Sequence, residues 1–310
     1  MTEALDGLPQ TAQRRVESQL AGGVTGSLFS APAAASARSV GLEPVGEVFG
    51  CLVINLGWTG GGCSWWGSGG GLPGWGAGGA LGGWATSPIT TSGRSQSGGF
   101  APYVNAFEAA WYGALQRMLI EARALGAHGV VGVRITRTRL QNSVWEFTAL
   151  GTAVRSSDPS MVPFPADVRN VWSTNLRAED CASAILSGYL PHEIVLGISV
   201  SSKHEDMELK QQRSVWAGNT EITGLTLLIQ AARNESRARL AARATRADGA
   251  QLVITDLDLS EFDTPCSQDA VDLHAESVIV GTTLIPLPRA SHRAETAKVT
   301  TVLPLHDLTA

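Results

Sequence analysis

Carboxylates, a thiol and an imidazole gather in one stretch of this 310-residue chain: Asp256, Asp258, Glu261, Asp263, Cys266, Asp269, Asp272, His274 and Glu276. These are the groups that ligate transition metals, because a thiolate, a neutral imidazole or a carboxylate can each approach zinc to about 2.0–2.3 Å. On a strand, Asp256 and Asp258 point to one face. The spacing matches no zinc or EF-hand pattern, however, and most of the run falls in a hairpin loop, where acidic side chains ordinarily solvate the chain. Asp256, Asp258, Asp263, Cys266 and His274 therefore stand as weak candidate ligands for a divalent transition metal, behind the plainer reading of a solvated loop. His204-Glu-Asp-Met-Glu is a weaker set of the same kind. Cys51 and Cys63, separated by 11 residues with no second ligand pair, read as packing and not as a site.

Nucleophilic and phosphate chemistry find less support. The chain has no Gly-x-Ser-x-Gly elbow, no Gly-x-x-x-x-Gly-Lys and no His-Glu-x-x-His. The glycines of Gly60 to Gly83 are followed by no Lys, so they do not form a phosphate cradle, and the expectation is a protein without enzymatic activity. The same stretch is nevertheless the most unusual feature. Trp58, Trp65, Trp66, Trp75 and Trp84 lie among 17 glycines between Gly57 and Gly99, and no charged residue occurs from Val48 to Gly93. Glycine at this density cannot sustain a membrane-spanning helix. Five indoles on a loop instead offer apolar surface for another assembly of this chain, a partner protein or a membrane surface.

The elements that must position these groups repeat within the chain. Ser27–Gly50 aligns with Thr174–Gly197 at an offset of 147, Arg117–Ile135 with Arg237–Thr255 at 120, and Glu146–Thr152 with Glu276–Thr282 at 130. The offsets imply 27 extra residues after the first strand of copy one and 10 extra in the later hairpin of copy two. Each copy reads as strand, long helix, β-hairpin, an α+β pattern. Phe107, Trp111, Ala114, Met118, Ala122 and Leu125 recur at three- and four-residue steps within a helix over Asn105–Leu125. Val131, Val133 and Ile135 alternate as on a strand with one covered face, Leu140–Ser143 makes the turn, and Val144–Val154 returns. The second copy follows with a helix at Leu225–Thr245 and strands at Leu252–Leu259 and Leu273–Leu284. The division is an arm at 1–26 with a short helix over Pro9–Leu20, a first module at 27–154 carrying the Gly/Trp insert at 57–99, a linker at 155–173, a second module at 174–285 and a tail at 286–310.

At Glu121-Ala-Arg-Ala-Leu-Gly-Ala-His-Gly-Val-Val-Gly-Val and Glu146-Phe-Thr-Ala-Leu-Gly-Thr-Ala-Val the first copy resembles the YbjQ family over about Pro44 to Val154. Leu150 stands where that family usually has Tyr, and His128 where a small polar residue is common. The second copy resembles the family through the first. The resemblance implies a small α+β module that assembles into rings, usually of five modules and sometimes stacked in pairs, under a label of heavy-metal binding. Five chains of two modules each would then form two stacked rings.

The charged residues shared by both aligned copies are Arg117/Arg237, Arg123/Arg243 and Glu146/Glu276, which are read as structural or interface charges that fix register and partner choice. Arg233, Arg237, Arg239, Arg243 and Arg246 could form a nucleic-acid stripe, but a net charge of -5 and a pI near 5.7 oppose it. The expected partner is the chain itself. Glu3 and Asp6 without an apolar run do not read as a secretory signal, and the four scattered cysteines do not read as a disulfide framework, so a cytoplasmic protein is expected.

Overall fold

A computed structural model describes residues 8–22, 26–57, 87–92, 100–157, 171–246, 251–265 and 271–287. After helix α1 (Gln10–Ala21) come helix α2 (Ala31–Ser39), strand β1 (Leu42–Asn55), the short strand β2 (Thr90–Thr91) and the long helix α3 (Ala101–Ala124). Strands β3 (Gly129–Gln141) and β4 (Val144–Ser156) form a hairpin, followed by the short strand β5 (Trp172–Ser173). The second half continues with α4 (Ala178–Leu186), β6 (Tyr189–His204), α5 (Met207–Gln212), α6 (Thr223–Arg246), β7 (Gln251–Pro265) and β8 (Val271–Pro286). Two four-stranded sheets result, ordered β1-β4-β3-β5 and β2-β6-β8-β7. All pairings are antiparallel except that of β5 with β3.

Local sequence accounts for most of these elements. Helix α3 buries Val104, Phe107, Ala110, Trp111, Ala114, Met118 and Ala122 on one side. It ends where Gly126 adopts φ +69°, letting Gly126 N–H donate to Arg123 C=O at 2.9 Å and Ala127 N–H to Ala122 C=O at 3.0 Å. That pair of bonds satisfies carbonyls the last turn leaves unpaired. Asn142, at φ 36°, turns the β3–β4 hairpin with Ser143, as a two-residue reversal demands of its first position.

The molecule is layered as sheet, helix, sheet, helix. Helix α3 lies on the first sheet, where a Cβ added at Gly50 would fall 2.0 Å from Ala114 O. On its other side it meets Ile194, Leu196, Ile198 and Val200 of β6, all at most 1% exposed and part of the same core. Helix α6 covers the opposite face of the second sheet, where a Cβ at Gly197 would fall 2.1 Å from Ser236 O. A separate core cluster joins α2 to α4 through Ala33, Ala37, Cys181, Ala182 and Ile185.

The structure corrects four details of the sequence reading. Each half carries a short helix before its first strand, α2 and α4, beyond the expected strand, helix and hairpin. The linker contributes β5, with Trp172 paired to Gly129. The Gly/Trp insert contributes β2, with Thr90 and Thr91 paired to Ser202 and Ser201 of the second half. Finally, the middle block is offset by 122 residues, since Val131 faces Thr152 as Val253 faces Thr282, and Ile135 faces Ala149 as Leu257 faces Ile279. The helices agree, with Ala114 against Gly50 and Ser236 against Gly197. Arg117 thus corresponds to Arg239 and Glu121 to Arg243, so Arg117/Arg237 and Arg123/Arg243 do not occupy equivalent positions, and the insertion lengths of 27 and 10 residues do not hold either. Arg-Ala repetition along α6 makes a two-residue slip nearly invisible in sequence. Glu146/Glu276 stands, opposite Val53 and Val200 respectively.

Candidate functional site

Where α3 begins and the β3–β4 hairpin ends, the two halves leave an open cleft of about 680 Å³. Its floor is Glu276 of β8, 2% exposed, which is reached by groups from the first half. Arg137 Nη1 lies 2.8 Å from Glu276 Oε1, and Tyr103 donates its hydroxyl to Oε2 at 2.5 Å. Arg137 also donates to the Tyr103 hydroxyl at 3.1 Å. A buried carboxylate is tolerated only when paired and hydrogen-bonded, and this one has both. Burial first, and then the adjoining Glu276 charge, hold the Tyr103 phenol well above its ordinary range. The guanidinium of Arg137 lies over the Phe107 and Trp145 rings at 5.1 and 5.0 Å, and Arg139 lies over Trp145 at 5.8 Å. Phe100 and Phe262 form the remaining apolar wall with rings 5.6 Å apart.

A second polar node fastens the end of the insert to the second sheet. Lys203, 6% exposed, donates to Asp206 Oδ2 at 2.8 Å and to Ser87 Oγ at 2.9 Å. Burial alone would raise the Asp206 pKa, but bonds from Lys203 and from the Ser87 and Leu209 amides hold it well below the usual carboxylate range. Beside it His204 Nδ1 and Asp272 Oδ1 are 2.7 Å apart.

The candidate metal ligands do not converge. Asp256 and Asp258 lie exposed on β7 opposite Val280 and Val278, while Asp263 lies farther along, opposite Leu273. His274 directs Nδ1 to Ser202 Oγ at 2.9 Å and Nε2 to Thr264 Oγ1 at 2.8 Å. Burial lowers its pKa to about 4, against the attraction of Asp272 and Asp263. Cys266 lies outside the described residues, and among those described no three His, Cys, Asp or Glu side chains are grouped to hold a metal. Trp58, Trp65, Trp66, Trp75 and Trp84 also lie outside the described residues.

The charges singled out from the sequence divide by location. Arg243 bonds Glu108 of α3 at 2.5 Å and lies over Tyr112 at 4.9 Å, so it joins the halves as Glu276 does. Arg117 donates to Cys51 C=O, and Glu146 accepts from the Cys51 thiol at 3.1 Å. Burial and that bond push the Cys51 thiol up to about 11. Arg123 sits half-buried in the last turn of α3, and Arg237 is exposed on α6. The sequence reading missed Tyr103, Arg137 and Trp145. It also missed Glu121, 1% exposed, which accepts from Phe49 N–H at 2.9 Å and from Arg15. Only the period-two placement of Arg137, Arg139 and Trp145 on one hairpin face could have indicated the cleft.

Two mainly antiparallel sheets with a helix between them define an α+β protein, and residues 86–157, which hold α3 and the first hairpin, match the YbjQ family, described as "Putative heavy-metal-binding". The chain is therefore YbjQ-like over this segment. It is 46% identical over 67 residues to a UPF0145 protein of Saccharolobus solfataricus, an overlap covering 21% of this chain and 59% of that relative's length. No solved structure matches the chain. No helix among the described residues is long and apolar enough to cross a membrane.

Proposed function

We propose that the protein is a non-enzymatic scaffold, derived by duplication of one unit, that assembles with copies of itself and displays the Gly/Trp loop. One observation carries this reading: the contact between the halves leaves its two matching surfaces uncovered at the opposite ends of the chain. In the second sheet, Leu196, Ile198 and Val200 are buried beneath α3. Their counterparts by register in the first sheet, Phe49, Cys51 and Val53, are only half-buried or, for Val53, 51% exposed. The counterpart of α3 is α6, whose outward residues Gln230, Asn234, Arg237 and Ala241 are exposed.

The strand edges tell the same story. On β3, residues 172–176 lie along the edge, with Gly132 N–H donating to Leu176 C=O and Val133 N–H to Thr174 C=O. On β7 no strand among the described residues occupies the corresponding edge, and Ile254 and Leu257 are 52% and 48% exposed. An open edge beside apolar side chains is a template for a further chain. Glu47 and Glu146 on the uncovered face of the first sheet complement Arg237 on α6.

Native mass spectrometry tests the reading. Copies should associate at micromolar concentration, with five chains the count implied by the YbjQ resemblance. Arg237→Glu, at an exposed position away from the core, should return a single chain with an unchanged far-UV circular dichroism spectrum. A wild-type chain that remains single would overturn it.

A second reading, heavy-metal binding through Asp263, Cys266 and His274, is favoured by the description of the matching family. Calorimetry with zinc, copper and nickel decides it: stoichiometric binding abolished by substitution of these three residues supports the metal reading, and no heat excludes it.

A further inference from the structure

We propose that the cleft between the halves is a binding site for a small planar aromatic acid, with the ring held among Phe100, Phe262 and Trp145 and the carboxylate on Arg139. The volume of about 680 Å³ is of the size that encloses small ligands. Four aromatic side chains, Phe100, Tyr103, Trp145 and Phe262, line it among polar groups, and Trp145 is half-buried with the Arg137 and Arg139 guanidinium groups against its ring.

The two cations are not equivalent. Arg137 is committed to Glu276 and Tyr103. Arg139 is exposed, has no ion pair among the described residues, and is steadied by its Nε bond to Asn142 C=O at 2.6 Å. That bond turns the guanidinium into a fixed fork whose terminal nitrogens suit a carboxylate. Phe100 and Tyr103 place the first turn of the 24-residue helix α3 on the cleft wall, and that turn contains no acidic residue. Its dipole adds positive potential on the same side. Glu261 at the rim is the opposing charge. A neutral ring alone would leave Arg139 unpaired, and a bare anion would leave the aromatic wall wet, so the lining suits a ligand with both features.

All lining residues belong to one chain, so this inference is independent of self-assembly. Calorimetry and ligand-observed NMR on the full chain, with indole-3-acetate, indole and acetate as separate probes, test it. Indole-3-acetate should bind at least tenfold more tightly than indole or acetate. Arg139→Gln should remove that advantage while leaving indole binding and the melting temperature unchanged, Phe262→Ala should weaken both aromatic probes, and Glu261→Gln should tighten the acid. Equal affinity for indole and indole-3-acetate, or an acid affinity indifferent to Arg139→Gln, would overturn the proposal.

Discussion

His274 packs against both Phe100 and Phe262, with ring centroids 4.7 and 4.9 Å away, and both its nitrogens bond hydroxyls. Its folded pKa of about 4 lies below the ordinary 6.5, so the folded state resists protonation and the unfolded state accepts it first. Stability from this group is therefore complete above about pH 6.5 and is lost as the pH falls toward 4. Thermal melts between pH 7 and pH 4 should show this decline, and His274→Gln should flatten it. Lys203→Met should cost about 3 kcal/mol in chemical denaturation, because Asp206, 13% exposed, would keep its bonds from the Ser87 and Leu209 amides but lose its counter-charge. At this scale Glu276 was legible in the sequence as a shared charge. Its partners Tyr103 and Arg137 were not, since 173 and 139 positions separate them from it and no local pattern reports a contact across the halves.

Among the elements, the two glycines set the helix-to-sheet distance. A Cβ at Gly50 or Gly197 would meet the backbone of α3 or α6, at 2.0 and 2.1 Å, and neither backbone can yield as a flexible side chain would. Gly50→Ala and Gly197→Ala should each cost about 1–3 kcal/mol, measured by urea denaturation, with the helix displaced from its sheet. Long helices and hairpins could be read from periodicity because their apolar faces are long enough to show it. The nine-residue helices α2 and α4 escaped: α2, rich in Ala and Ser, shows little apolar contrast over about two and a half turns, and the stripe of α4 is only Ala178, Cys181, Ala182 and Ile185. Strands β2 and β5, two residues each, exist only through the partner strand they meet.

Over the whole molecule, the insert of the first half is fastened to the second. Ser87 bonds Lys203 and Asp206, Ser92 N–H donates to Val200 C=O at 2.9 Å, and β2 pairs with β6. Replacing residues 58–86 by a Gly/Ser tract of equal length should leave the melting temperature within a few degrees while removing the Trp-dependent contact. Extending the replacement through residue 92 should lower the melting temperature further, because the β6 edge is then uncovered. Circular dichroism melts compare the two.

The layered contact between the halves also has an arithmetic side. The first sheet and α6 face opposite ways, so repeating that contact from chain to chain adds units in pairs. A circle closed by it holds an even number of units, whichever copies take part. Five places in one circle cannot be filled by whole chains through this contact, whereas five chains supply ten.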